Sequence, residues 1–174
     1  MKQLLVSIVM PSFNQAQFIR DSIMSVLEQD YPSLELFVMD GGSSDGTIDV
    51  LRSIADPRLK WISEKDKGQT DAINKGMQQV SGEILTYLNS DDLLLPGAVR
   101  FTVEYFSAHE EVSVIFSDAY TIDASGKTTG DFRARPYSVI SAMTGGQPNP
   151  QQGTFWRRAV LEKTGMFDDS LHYC

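Results

Sequence analysis

The residues best suited to chemistry in this chain are four in a row, Asn89-Ser90-Asp91-Asp92. They follow the largely apolar run Leu85-Thr86-Tyr87-Leu88, so two neighbouring carboxylates stand at the end of what reads as a buried strand. Such carboxylates repel each other unless they are solvated or a cation lies between them and a ligand. Magnesium and manganese take one or two carboxylates and leave their other positions to phosphate and water. A metal held here would neutralise the charge that develops on a diphosphate leaving group. The plainer reading is a helix N-terminus, where acidic side chains favour the dipole, and the two readings are compatible.

Two more segments place polar groups just after apolar runs. In Asp40-Gly41-Gly42-Ser43-Ser44-Asp45-Gly46-Thr47, the glycines let the backbone approach a ligand closely. Asp40 ends a strand and can accept hydrogen bonds from a base or ribose, whereas Asp45 and Thr47 fit an Asx-type turn and a helix cap better. In Glu64-Lys65-Asp66-Lys67-Gly68-Gln69-Thr70-Asp71-Ala72-Ile73-Asn74-Lys75-Gly76, Gly68 gives a flexible entry to a helix and Ala72 leaves room for close packing. Asp71 and Asn74 lie three apart and share a helix face. An ordinary solvated face would carry the same residues.

The elements that must position these groups follow from periodicity. Residues 4–10, 34–39, 59–63, 84–88 and 112–117 read as strands. Residues 18–29, 70–80 and 96–108 read as helices, the last with Pro96 in its first turn, and another helix runs from a cap at Ser44 or Asp45 to about residue 55. Beyond Asp118 the chain turns polar, with a hairpin or loop around Ser125-Gly126, a stretch rich in Gly, Pro, Gln and Asn over 145–153, and a helix over 157–164 stopped by Gly165. Alternating strands and helices predict right-handed crossovers and an α/β fold. It would be a single domain with a Rossmann-like, mostly parallel sheet flanked by helices. Ligands in such folds sit beyond the carboxyl ends of the strands, here residues 11–14, 40–44, 63–68 and 89–92.

Composition narrows the function classes. Hydrophobic residues at 41% and charged residues at 22% are the balance of an ordinary globular domain and argue against disorder. A formal net charge of −8 with no basic run gives nucleic acid no footprint, and it means that an anionic ligand would be helped by a bound divalent cation. The apolar run at 4–10 is too short to cross a bilayer and lacks the layout of a signal peptide. The lone cysteine, Cys174, allows no disulfide within the chain, fits a cytoplasmic setting, and has only His172 nearby, so it does not read as a nucleophile.

Taken in order, Pro11-Ser12-Phe13-Asn14, the Asp40–Thr47 segment, Lys67-Gly68-Gln69-Thr70-Asp71-Ala72-Ile73-Asn74 and Asn89-Ser90-Asp91-Asp92 resemble the family 2 glycosyltransferases of the GT-A fold. The resemblance runs from the first strand to about Asp169 and implies a nucleotide-sugar-binding half at 1–118 and the start of an acceptor-side half at 119–174. It implies that Pro11, Ser12, Phe13 and Asn14 contact the nucleobase, and that Asp40 meets uracil or ribose with Gly41 beside it. Lys67, Gly68, Asp71 and Asn74 would lie along the nucleotide and sugar. Asn89-Ser90-Asp91 takes the place of the family's Asp-x-Asp motif, with Asn at its first position. Asp91 would contact ribose or metal and Asp92 would ligate Mn²⁺ or Mg²⁺; the sequence leaves open which of the two binds the metal. Gln151 and Gln152, in Gly146-Gln147-Pro148-Asn149-Pro150-Gln151-Gln152-Gly153, would bond acceptor hydroxyls.

The implied activity is metal-dependent transfer of a sugar from a nucleotide sugar, UDP being the implied nucleotide, to a hydroxyl of a glycan, lipid-linked or other acceptor, with inversion. Asp168 and Asp169 match the turn before the family's acidic-aromatic base motif, so the general base is expected beyond Cys174. A donor-binding module without catalysis is therefore the main alternative. A sugar nucleotidyltransferase would need a glycine-rich basic loop where Pro11-Ser12-Phe13-Asn14-Gln15 stands, and a dehydrogenase would need Gly-x-Gly-x-x-Gly after the first strand. Work at the inner face of a membrane is compatible with the family, but no basic amphipathic helix supports it.

Overall fold

The computed structural model describes residues 3–138, 140 and 149–170. Gly146, Gln147 and Pro148 of the expected acceptor-side segment, with His172 and Cys174, lie outside the described residues.

Strand β1 (Val6–Ser12) is buried along its whole length. Val6, Ile8 and Met10 enter one core cluster while Val9 enters another, so the two-residue period of a strand sends side chains to both faces. A sheet covered on both faces favours a near-continuous apolar run over alternation, which is what residues 4–10 show, broken only by Ser7. Strand β2 (Leu34–Asp40), β3 (Leu59–Ser63) and β4 (Ile84–Tyr87) join β1 in parallel register, in the order β3-β2-β1-β4.

Helices α1 (Ile19–Leu27), α2 (Thr47–Ser53) and α4 (Ala98–Ala108) supply Ile19, Ile23, Leu51, Val99 and Phe106 to the larger cluster. Helix α3 (Gln69–Gln79) covers the other face with Ala72, Ile73 and Met77. Each such buried side chain contributes roughly 1.5–3 kcal/mol. Gly76 is why α3 can lie so close: a Cβ there would stand 2.4 Å from Cγ1 of Val9 and 3.1 Å from Cγ of Met39.

Several boundaries depart from expectation. Strand β1 runs on through Pro11 and Ser12, so these residues are strand end and not loop, while Asp40 ends β2 as read. Pro96 stands before α4, because Gly97 takes a left-handed φ of 81° and caps the helix from outside. Gly46, also left-handed, precedes α2, while Asp45 accepts the Thr47 N–H at 3.0 Å. The hairpin forms as read, with β6 (Ala119–Ile122) and β7 (Thr128–Phe132) turning at Ser125-Gly126.

The addition that periodicity did not show is β8 (Thr154–Arg157). It lies antiparallel between β4 and β5 (Val114–Phe116) and completes a six-stranded sheet. Two arginines at its end wire it to its surroundings. Arg157 donates to the carbonyls of Phe106, His109 and Val112 at the end of α4, with its guanidinium 4.8 Å from the Phe106 ring centroid. Arg158, the first residue of α5 (Arg158–Thr164), donates to Val80 and Gly82 just past α3. Helix α5 ends where Gly165 turns to φ 84°.

Candidate active site

The carboxyl ends of β1, β2 and β4 and the start of α3 enclose an open cleft of about 730 Å³. Its lining includes Pro11, Ser12, Phe13, Gly41, Gly68, Asn89, Ser90 and Asp91, all named from the sequence. Four segments, 80 residues apart at their extremes of sequence position (11 to 91), thus meet in one space.

The loop after β1 is laced to the loop after β2. Asn14 adopts a left-handed φ of 54°, donates its N–H to Oγ of Ser43 and accepts the Ser44 N–H on its own Oδ1. Gln15 and Ala16 donate to Thr47 and Asp45. Held this way, the loop presents the Phe13 ring to the cleft with 60% of the residue exposed, an aromatic face available for stacking. Ser12, beside it, is 5% exposed and its Oγ has no partner.

Asp40 is 1% exposed. Its carboxylate accepts the N–H groups of Gly42 and Ser43 and the hydroxyls of Ser43 and Ser63. Those donors offset the cost of burying the group, and they aim it at its own loop and not at the cleft. What faces the cleft here is the backbone of Gly41 and Gly42. A Cβ at Gly41 would stand 2.6 Å from Oδ2 of Asp66, whose Oδ1 accepts the Gly68 N–H.

Asp71 and Asn74 do not line the cleft. Asp71 accepts the Lys67 N–H at 3.0 Å and pairs with Lys75 at 3.2 Å; that N–H first, then the ammonium, holds its carboxyl below the usual range. Both amide atoms of Asn74 bond to the backbone of Phe167. Lys67 is exposed beside Gly68. Lys65, Asp66, Gln69, Gln15, Gly42 and Ala72 line the cleft but were not singled out as ligand contacts. The Asp66-x-Gly68 spacing was the available signal, since an aspartate commonly accepts the N–H two residues on.

The acidic loop is held from behind by α1. The buried hydroxyl of Ser22 donates to the Ser90 carbonyl, Ser25 Oγ accepts the Leu94 N–H, and Gln29 bonds to Leu95 and Val99. Asp91 is exposed to the cleft. Asp92 lies half-buried, and its Oδ2 accepts amide donors from Asn89 at 3.1 Å and Gln152 at 3.0 Å. Burial first, and the neighbouring Asp91 charge second, push its carboxyl above the ordinary value. Gln69 donates to Asn89 Oδ1, which links α3 to the same cluster. Among the described residues no group of three or more His, Cys, Asp or Glu could hold a metal by itself. The donor set of Asp91 with Asp92 suits a magnesium or manganese ion that fills its other positions with phosphate and water.

Gln151 and Gln152 both reach this region. Gln151 donates to the Tyr87 carbonyl and leaves a buried Oε1 without a partner, while Gln152 braces Asp92. Beyond them lies an apolar groove of about 430 Å³ lined by Tyr87, Val114, Trp156, Leu161 and Phe167 among others.

The model of Glycosyl transferase family 2 matches residues 7–163. The chain belongs to this family. It is 30% identical over 175 residues to an uncharacterized glycosyltransferase of Nostoc, covering 94% of this chain and 54% of that protein. It is 33% identical over 135 residues to the UDP-Glc:alpha-D-GlcNAc-diphosphoundecaprenol beta-1,3-glucosyltransferase of Escherichia coli, covering 77% and 53%. Its fold matches the mannosyltransferase of Pyrobaculum calidifontis in complex with GDP-Man and Mn²⁺, with a TM-score of 0.70, 21% identity, and coverage of 97% and 48%. The chain spans about half the length of the curated relatives it matches. The mostly parallel sheet flanked by helices is thus the GT-A fold.

Proposed function

We propose that this family 2 glycosyltransferase chain binds a nucleotide-diphosphate sugar, with UDP as the nucleotide, and that the cleft is the donor site of a metal-dependent, inverting sugar transfer. The observation that carries the reading is the convergence on one cleft of an exposed aromatic ring at Phe13, close-approach backbone at Gly41 and Gly68, and a free-standing carboxylate at Asp91.

Phe13 would stack on the base, and the loop around Asp40 would bring backbone groups to base and ribose. Asp40 would serve by holding that loop in shape, given its four donors. Asp91, with Asp92 behind it, would hold Mn²⁺ or Mg²⁺. The ion, when bound, neutralises charge on the departing diphosphate. Asn89 and Gln152 keep Asp92 in place by donating to one of its oxygens. Gln151 and Gln152 would face the acceptor hydroxyl. The relative from Escherichia coli has a UDP-sugar donor and a diphosphoundecaprenol-linked acceptor in its name, which supports UDP and a lipid-linked or other glycan acceptor here. The fold neighbour's GDP-Man and Mn²⁺ support a nucleotide sugar and a divalent ion.

A binding role without transfer is the second reading; Asp168, at the turn expected before the base motif, caps that turn by accepting the Ser170 N–H and hydroxyl, which is a structural role. No helix among the described residues is long and apolar enough to cross a membrane.

Thermal unfolding with UDP, with Mn²⁺, and with both tests the site. A ligand at about 100 times its dissociation constant stabilises by roughly 2.7 kcal/mol. Stabilisation that requires both, and that is lost in Asp91→Ala, is the expected result. No shift, or one indifferent to metal and to Asp91, would overturn the reading.

A further inference from the structure

Helix α3 begins at the donor cleft, where Gly68, Gln69 and Ala72 line the wall. One turn further on, Asn74 turns its amide away from the cleft toward the segment that follows α5. Its Nδ2 donates to the Phe167 carbonyl at 2.8 Å, and the Phe167 N–H donates back to Oδ1 at 3.0 Å. One side chain thus satisfies both backbone groups of a residue 93 positions away. Asparagine is a poor helix former because its amide competes for backbone groups, and here that capacity joins two elements. Among the described residues, these are the hydrogen bonds that tie residues 166–170 to another element. The Phe167 ring completes the anchorage, packed edge-on against Tyr87 at 5.7 Å and Trp156 at 6.0 Å between ring centroids. Tyr87 in turn ends the strand that leads into the acidic loop.

We propose that Asn74 is a positioning residue that couples the donor-binding helix to the 166–170 turn, so that ordering of α3 by nucleotide is passed to the acceptor-side wall of the groove. The inference rests on the donor-site reading above. Its physical content is a coupling between two places: nucleotide that quiets the start of α3 also quiets the Phe167 backbone, and the path is one amide. A merely structural clamp would hold the turn equally with and without nucleotide.

Amide hydrogen exchange on the whole chain separates these cases, with UDP and Mn²⁺ as the probe. In the wild-type protein, UDP with Mn²⁺ should slow exchange of the Phe167 N–H. In Asn74→Ala that N–H should exchange about tenfold faster, the effect of losing one hydrogen bond, and UDP should no longer slow it although UDP still raises the unfolding temperature. Asn74→Asp keeps the acceptor for the Phe167 N–H and loses only the donor, so it should fall between the two and covers the case in which the alanine variant does not fold. Unchanged Phe167 exchange in both variants, a UDP effect that survives in Asn74→Ala, or no UDP effect in the wild type would each overturn the coupling. Failure of UDP to stabilise the wild-type protein would instead overturn the donor-site reading, and the thermal shift shows that separately from the exchange rates.

Discussion

The hydroxyl of Ser22, buried in α1, donates to the carbonyl of Ser90 at 2.8 Å, so the acidic loop is fastened to the core. Ser25 on the same helix and Gln29 just past its end continue the attachment to Leu94, Leu95 and Val99. A helix face that would ordinarily be wholly apolar carries polar side chains here because the loop it covers has backbone groups that must be satisfied away from water.

Replacing Ser22 with alanine leaves the Ser90 carbonyl without this donor. Such a loss costs about 1–3 kcal/mol, read as a lower midpoint in denaturant. UDP affinity should fall as well, because Asp91 follows directly on the freed carbonyl. A variant with wild-type stability would show that water replaces the hydroxyl at no cost.

Asp92 sets a pH dependence. Burial and the Asp91 charge raise its carboxyl above the ordinary value, so the folded protein holds that proton more tightly than the unfolded chain does. The stability this contributes is full below the ordinary carboxylate value of about 4 and is lost as pH rises through the raised folded value. Asp92→Asn removes the ionisation while keeping an oxygen for Asn89 and Gln152 to donate to. In chelator, the variant should therefore gain stability over the wild type near neutral pH and lose that gain in acid. Equal pH profiles for the two proteins would count against the raised value.

Gly76→Ala tests the contact between α3 and the sheet. Alanine is favoured in a helix by about 1 kcal/mol. Its Cβ, however, would meet Val9 at 2.4 Å inside a packed layer, and forcing atoms into a filled core costs typically about 1–3 kcal/mol. Net destabilisation in urea is expected, with a weaker response to UDP because the start of α3 moves off the cleft wall. A stabilised variant would mean that the helix lifts without harm.

Local pattern carried most of the architecture. The buried runs at β1, β2 and β4 are largely apolar because both sheet faces are covered, and the polar stretches after them fall where a parallel sheet binds ligands. That logic, with the order of the four motifs, was enough to name the family and to bring Pro11, Ser12, Phe13, Gly41, Gly68, Asn89, Ser90 and Asp91 to one cleft. Strand β8 escaped because Thr154–Arg157 offers only two apolar residues, Phe155 and Trp156, and its place between β4 and β5 depends on partners far upstream (Leu85 to Trp156 is 71 positions, Val114 to Trp156 is 42).

The direction of individual side chains belonged to the tertiary structure. Residue type made Asp40 a fit ligand group, yet Ser43 and Ser63 draw its carboxylate into the loop. Asn74 shares a helix face with Asp71, yet its amide is claimed by Phe167. Gln152 braces Asp92 across 60 positions of sequence. Sequence determines which groups a segment can offer and how often they recur. Which partner a polar group finds is decided only when distant segments are packed together, because a buried donor or acceptor takes the nearest complementary group that folding brings to it.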